Sequence, residues 1–336
     1  MLPAQHCVIG VDIGGTKTAA GIVDGTGTLQ AAESRPTPAA AGSAAILATA
    51  VGLMESLLVQ ARTAGLTPLA VGIGAAGVID ARDGSVVSAT DSLTGWAGTP
   101  LAAHLGRVAG LPAFAVNDVH AHNLGEQWQG ASTGAQSSLL VAVGTGVGGS
   151  LILDGTPHLG ARAVAGHVGH LASPYAYDDG GRALPCSCGR AGHLEAIASG
   201  PSIALLYRRL AGDSGSGNGA TAAGALEPVS GREVAVRAAA GEPVALRALT
   251  LGATAAGQAV GGLANMLDPA VVVIGGGVSA AGALWWTPFL AALRAELMDP
   301  LAGLPVLPAV LGSSAAVVGA AKYAFDRITV PEETRV

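Results

Sequence analysis

Charge is scarce in this sequence. Of 336 residues, 17 are Lys or Arg and 23 are Asp or Glu, so only 12% carry charge, against about 25% in an average soluble domain. Aromatic residues make up 3%, so a core must be built from Ala, Val, Leu and Ile. The formal net charge of −6 supplies no basic field for nucleic acid or an anionic membrane surface. Three cysteines, two of them packed as Cys186-Ser-Cys188, do not make a disulfide framework in a chain of this size. The opening Met1-Leu-Pro-Ala-Gln-His has no basic segment ahead of an apolar run, which a secretory signal requires. Mean hydropathy is +0.50, yet long unbroken apolar runs are missing. Residues 131–153 and 269–293 lack charge over the length of about 20 residues that spans a bilayer. The first is broken by Gly144, Gly146, Gly148 and Gly149, the second by Gly275, Gly276, Gly277 and Pro288. Both read as buried strands running into glycine loops. A soluble, cytoplasmic chain is expected.

What is abundant is glycine, with 51 residues, about twice the usual ~7%. Together with 18 prolines it stays below the ~25–30% of a low-complexity chain, and glycine does not recur every third residue as in collagen. Half of the residues are hydrophobic, enough for a sizeable core. The length suggests two domains.

Along the chain, short apolar runs alternate with helical periods. Residues 7–11 and 18–23 read as strands joined by a turn at Gly14-Gly15-Thr16-Lys17. Residues 43–63 have helical spacing through Ile46, Val51, Met54, Leu57 and Leu58. Strands are expected at 70–73 and 113–116, with a helix at 101–108 between them. A second strand pair, 138–143 and 150–153, flanks Gly144-Thr145-Gly146-Val147-Gly148-Gly149. This repeat of the first hairpin suggests two related halves. Helices are expected at 193–210, 233–240, 244–267, 284–297 and 314–326, with a strand at 270–274. Residues 211–225, rich in Gly, Ser and Ala, read as a mobile loop. Strands alternating with helices imply an α/β fold.

Asp12-Ile-Gly-Gly-Thr-Lys17 puts an acid, two glycines, a hydroxyl and an amine on one turn. Glycine lets backbone N–H groups approach phosphate oxygens, and Asp12 suits Mg²⁺ held through water. An ordinary hairpin also uses Gly-Gly. Two further glycine turns after strands, at 144–149 and 275–277, favour nucleotide binding, because strand ends that meet helices are where ligands sit. Asn117-Asp118 follows a strand. A carboxylate there can take the proton of an acceptor hydroxyl in phosphoryl transfer, although such a pair is also a common turn or helix cap. His170, Cys186, Cys188 and His193 offer two thiolates and two imidazoles, the ligands of structural Zn²⁺. On spacing alone, buried thiols beside surface histidines fit equally well. Cys7 reads as a small buried hydrophobe.

These motifs together resemble the ROK family of bacterial sugar kinases and sugar-responsive repressors, over nearly the whole chain. The most specific match is Cys186-Ser-Cys188-Gly-Arg-Ala-Gly-His193-Leu-Glu195, where the family pattern is Cys-x-Cys-Gly-x-x-Gly-Cys-x-Glu. The resemblance implies a two-domain fold of the actin/hexokinase-like ATPase type with an interdomain cleft. Residues 1–118 would form the N-terminal domain, with the helix at 314–326 packing back on it. Residues 119–313 would form the larger C-terminal domain, with a zinc segment at 165–195. It implies ATP as a substrate, with Mg²⁺ and a structural Zn²⁺. The phosphates would meet Asp12, Gly14, Gly15, Thr16, Lys17, Gly144, Thr145, Gly146, Gly148 and Gly149, and Gly275, Gly276 and Gly277 would lie near the adenosine. Asp118 would be the base on the sugar 6-hydroxyl. Gly77, Ser92, Asn117, His167, His170 and Glu195 would contact the sugar, and His170 would also bind zinc with Cys186, Cys188 and His193.

Three departures matter. His193 stands where the family has a third zinc cysteine, giving Cys₂His₂, which Zn²⁺ also accepts. His167 replaces the glutamate of Glu-x-Gly-His, trading a pure acceptor for one donor and one acceptor. Ser92 stands where the family has Asn. Bacterial N-acetylmannosamine kinases share Ala-Gly-His-x-Gly-His with residues 165–170 and Glu-Ala-Ile-Ala-Ser-Gly with residues 195–200, so N-acetylmannosamine is the expected acceptor. Glucokinase and N-acetylglucosamine kinase are the alternatives. A sugar-responsive regulator is the rival class, and only 11 residues precede Asp12 where family repressors carry a DNA-binding segment. The resemblance also leaves a homodimer open.

Overall fold

The computed structural model describes residues 5–90, 93–212 and 229–328. The strands and helices in chain order are β1 His6–Ile13, β2 Lys17–Asp24, β3 Leu29–Pro36, α1 Ser43–Thr63, β4 Thr67–Ala75, β5 Val78–Ile79, β6 Val86–Ser88, α2 Leu101–Ala109, β7 Ala113–Asn117 and α3 Asp118–Gln129. There follow β8 Ser137–Val143, β9 Val147–Leu153, β10 Thr156–Pro157, α4 Glu195–Ala198, α5 Gly200–Leu210, α6 Gly231–Ala239, α7 Pro243–Leu267, β11 Val271–Gly275, α8 Ala283–Glu296, β12 Val306–Pro308 and α9 Ala315–Phe325.

Two five-stranded sheets share one plan, in the orders β3-β2-β1-β4-β7 and β10-β9-β8-β11-β12. In the first, β1 pairs antiparallel with β2 and parallel with β4, and β4 pairs parallel with β7. In the second, β11 and β12 are likewise parallel. The strand-turn-strand duplication expected from sequence is therefore a duplication of sheets. β1 is apolar and buried along nearly its whole length, as a central strand covered on both faces must be. β3 alternates Leu, Gln, Ala, Ala, Glu and Ser with partial exposure, the pattern of an edge strand.

The chain divides into two compact units. One is Met1–Ser138 with Ser150–Gly166 and Ala309–Val336; the other is Leu139–Gly149 with His167–Pro308. The boundary expected after Asp118 thus falls inside the first unit. The reason is that α3 packs on α9, with Gly125 against the Ala315 backbone and Gly319 against that of Ala121. By length and composition α1 could cross a membrane. Its Ile46, Leu53, Met54, Leu57 and Leu58 instead lie in the core of the first unit, with Ile9, Val71 and Trp96. In the second unit, α7 and α8 meet without intervening side chains, since a Cβ on Gly257 would lie 2.1 Å from the Phe289 carbonyl oxygen.

Three expectations change. The helix foreseen over 193–210 is two, α4 and α5, broken where Ser199 turns extended (ψ 157) and its hydroxyl accepts from the Ser202 N–H as the cap of α5. The glycine turn foreseen over 144–149 is shorter, because β9 already begins at Val147, so Gly148 and Gly149 are strand residues. α3 had no helical forecast beyond a cap at Asn117. Most of the loop foreseen at 211–225, and Ser92, lie outside the described residues.

Candidate active site and metal centre

In the first unit, the register places Asp12 opposite Gly74 and Ala75 opposite Asn117. The carboxyl ends of β1, β4 and β7 therefore present Asp12, Gly77, Asn117 and Asp118 at one end of the sheet. Gly77 has φ +106 and a Cβ there would lie 2.6 Å from the Ser88 carbonyl oxygen, so glycine is required. The Asn117 side chain holds that turn, with Nδ2 donating to Gly77 O at 3.0 Å. The Asn117 Oδ1 accepts from Val119 N at 2.9 Å and caps α3. Asp118 Oδ1 accepts from Asn117 Nδ2 at 2.9 Å and Val119 N at 3.0 Å. The glycine turn closes where Gly14 N donates to Lys17 O at 3.0 Å. Thr37 braces it, its hydroxyl donating to Gly14 O at 2.8 Å and its N–H to Thr16 O at 3.0 Å. Gly15, Thr16 and Lys17 are exposed. Burial and the nearby Asp118 push the Asp12 carboxyl from its ordinary 3.8 to about 7, and Lys17 only partly offsets them. Two carboxyls so placed favour a bound cation.

In the second unit, two glycine turns and the His/Cys segment converge. Gly276 has φ +87, and a Cβ there would lie 2.2 Å from Val143 O, where β8 enters its turn. Val278 N donates to that same oxygen at 3.0 Å, and Gly200 N to Gly144 O at 2.8 Å. Gly144, Thr145, Gly277 and Val278 line a cavity of about 1160 Å³, whose apolar wall comes from Ile203 and Ala204 of α5 and Ala235 and Val236 of α6. Arg208 and Arg232 also line it; no motif marked either residue in the sequence.

Val147, where that turn ends, is held from both sides. Its N–H donates to Glu195 Oε2 at 2.9 Å, and its carbonyl lies where a Cβ on Gly169 would be 2.1 Å away. Glu195 Oε1 accepts from the Ser187 hydroxyl. The carboxylate expected at the sugar thus also joins the second glycine turn to the cysteine segment. The His167 and His170 rings stack at 6.3 Å between centroids.

The ligand atoms of His170, Cys186, Cys188 and His193 all lie within 4.8 Å of one another. Cys186 Sγ is 3.6 Å from His170 Nδ1, and Cys188 Sγ is 3.3 Å from His193 Nδ1. Tetrahedral Zn–S and Zn–N bonds separate sulfur from nitrogen by about 3.6 Å, so the donors fit that ion. Burial holds the His170 imidazole below its ordinary value, toward the neutral form that ligates. Burial pushes the Cys186 thiol up, and a divalent cation reverses that.

The ROK family model matches residues 8–327. The chain is 31% identical over 312 residues to the glucokinase of Halalkalibacterium halodurans, covering 93% of this chain and 92% of that protein. It is 33% identical over 275 residues to the N-acetylmannosamine kinase of Citrobacter koseri, covering 81% and 84%. Among solved structures it resembles a ROK family glucokinase from Streptomyces griseus in complex with glucose and AMPPNP, at TM-score 0.78 and 31% identity over 95% of this chain and 99% of that one.

Proposed function

The chain belongs to the ROK family, and we propose that it phosphorylates the 6-hydroxyl of N-acetylmannosamine. It is an ATP-dependent sugar kinase. The observation that carries the mechanism is the seat of Asp118, the first residue of α3, whose Oδ1 is fixed by the Asn117 amide and the Val119 N–H. From there Asp118 takes the proton as the sugar oxygen attacks the γ-phosphorus of ATP, and ADP leaves. The N–H groups of the exposed residues Gly15–Lys17 and those at Thr145–Gly146 hold phosphates, in turns closed by the Gly14 and Gly144 N–H groups. The cavity beside Gly276 and Gly277 takes the adenosine. Asp12 would hold Mg²⁺ through water, an ion that neutralises charge on the transferring phosphoryl group. His170, Cys186, Cys188 and His193 would hold Zn²⁺, fixing the segment that carries His167 and Glu195.

The sugar reading rests on His167. A neutral imidazole there gives one donor and one acceptor where a glutamate gives acceptors only, and the flanking residues match the N-acetylmannosamine kinases. Glucose is the second reading, favoured by the relatives named glucokinase that align over 93–95% of this chain. The protein is inferred to be soluble and cytoplasmic. A coupled ADP assay over a panel of hexoses and N-acetylhexosamines decides the substrate: higher kcat/KM for N-acetylmannosamine is expected, and a clear preference for glucose overturns that choice. Asp118→Asn should cut turnover by about 10²–10⁴-fold while ADP binding persists. Wild-type turnover in that variant would remove Asp118 from the mechanism.

A further inference from the structure

Within a turn and a half of Asp118, α3 directs polar side chains where apolar ones are the rule. His120 is 2% exposed and Asn123 is fully buried, as are Ser138 on β8 and Ser150 on β9. His120 Nδ1 lies 2.9 Å from Ser150 Oγ. Asn123 Nδ2 donates to Ser150 O at 2.9 Å and to Ser150 Oγ at 3.2 Å, and Ser138 Oγ donates to Asn123 Oδ1 at 3.0 Å. Ser138 is the residue at which the chain leaves the first unit, and Ser150 the one at which it returns. Four polar groups in such a place cost desolvation that apolar side chains would avoid. What they give in return is direction, since hydrogen bonds fix angles and register where an apolar face can slide.

The rest of α3 shows why direction is needed. On its other flank it meets α9 through backbone, where a Cβ on Gly319 would lie 1.7 Å from Ala121 O and one on Gly125 2.1 Å from Ala315 O. Contacts of that kind set how near the helices come. Rotation of α3 about its own axis is set by directional bonds, at its far end by Glu126 accepting from the Val310 and Leu311 N–H groups, and at the end nearest Asp118 by His120 and Asn123. Asp118 is the first residue of that helix, so rotation carries its carboxylate sideways. On a helix radius of roughly 5 Å, a turn of about 10° moves it by about 1 Å, an error that can cost 10²-fold in rate.

We propose that His120, Asn123, Ser138 and Ser150 are positioning residues for phosphoryl transfer, a buried network that fixes the rotation of α3 and thereby aims Asp118. This rests on the reading of Asp118 as the base. The test compares Ser150→Ala, Ser138→Ala, Asn123→Leu and Ser150→Thr in the full chain, by melting temperature and by steady-state kinetics with sugar and Mg·ATP. In Ser150→Ala, kcat should fall about tenfold with both KM values within about twofold. Ser150→Thr keeps the hydroxyl and should return most of that loss. If Asn123→Leu fails to fold, Ser138→Ala, which removes a single bond, still reports a smaller fall in kcat. A lowered melting temperature with wild-type kcat per folded molecule overturns the proposal, and so does a loss carried by KM alone. Asp118→Asn, measured alongside, separates the two readings. An inactive Asp118→Asn with unimpaired serine variants removes the network's role only, whereas an active Asp118→Asn removes the base and with it the premise.

Discussion

At the β1–β2 turn, a methyl group added to Gly15 would meet nothing within 4 Å; added to Gly276, beside the β8–β9 turn, it would lie 2.2 Å from Val143 O. The two turns sit on sheets of one plan, yet their glycines serve different ends. The first turn is exposed and charged, with Asp12, Lys17 and Asp118 around it and Thr37 as its brace. Its small residues leave backbone N–H groups open to a ligand. The second turn is enclosed by its neighbours, with Glu195 on the Val147 N–H, Gly169 under the Val147 carbonyl and Gly276 against β8. The glycines packed against it, Gly169 and Gly276, are there because backbone already fills the space, while Gly146 in the turn itself makes room for the Glu195 carboxylate. Two hairpins in sheets of one strand order thus differ, the first presenting charge and open backbone and the second held by the segments packed against it.

That contrast can be broken by experiment. The largest effect should come from Gly276→Ala and Gly169→Ala, which force a Cβ into backbone, at Gly276 also in a left-handed conformation. A loss of roughly 2–5 kcal/mol is expected, read as the shift in urea midpoint. If both variants are as stable as the parent, packing does not govern the second turn. Next comes metal removal. Elemental analysis should find one zinc per chain, and stripping it should lower the melting temperature and weaken ADP binding, because Gly169 and Glu195 reach the second turn from the ligand segment. A stripped protein that melts and binds ADP as before excludes that link.

An effect confined to part of the pH range belongs to Asp12. Its folded carboxyl keeps a proton up to about pH 7, while an unfolded one ionises near 3.8. Between those values the folded state holds the extra proton, so stability should fall as pH rises through the window. Asp12→Asn should lack that slope; parallel pH profiles for the two proteins would contradict it. The smallest change should be Gly15→Ala, within about 0.5 kcal/mol in stability but with a raised KM for ATP. An unchanged KM would argue against phosphate contact at that turn.

Much of this was legible in the sequence. The period of Ile46, Met54, Leu57 and Leu58 located α1 to the residue, and the apolar runs before each glycine turn located the central strands. Glycine chemistry and the Cys/His spacing picked out residues that do come together. α3 was hidden for a physical reason. Its buried face carries His120, Asn123 and Glu126, so the apolar period that betrays most helices is absent. Glu126, fully buried, accepts from the N–H groups of Ala131, Val310 and Leu311, a role that no local pattern encodes. The split at Ser199 was hidden because a capping serine inside an apolar stretch looks like any other serine. Thr37, Arg208 and Arg232 were missed because they touch the site only through tertiary folding. The glycine excess proved to be partly interfacial, with Gly10 and Gly72 meeting α9 and Gly257 and Gly261 meeting α8.

The seating of α9 has a consequence for how the protein is made. Gly10 of β1 and Gly72 of β4 lie directly under Val317 and Ala320 of α9, a helix made only at the far end of the chain. At a synthesis rate of about 5–20 residues per second, the first sheet, complete once β7 is made, waits roughly 10–40 s for the helix that covers this face. Throughout that interval Val8, Ala19, Val23 and Ala70, which α9 helps to bury, remain open to other chains on the ribosome.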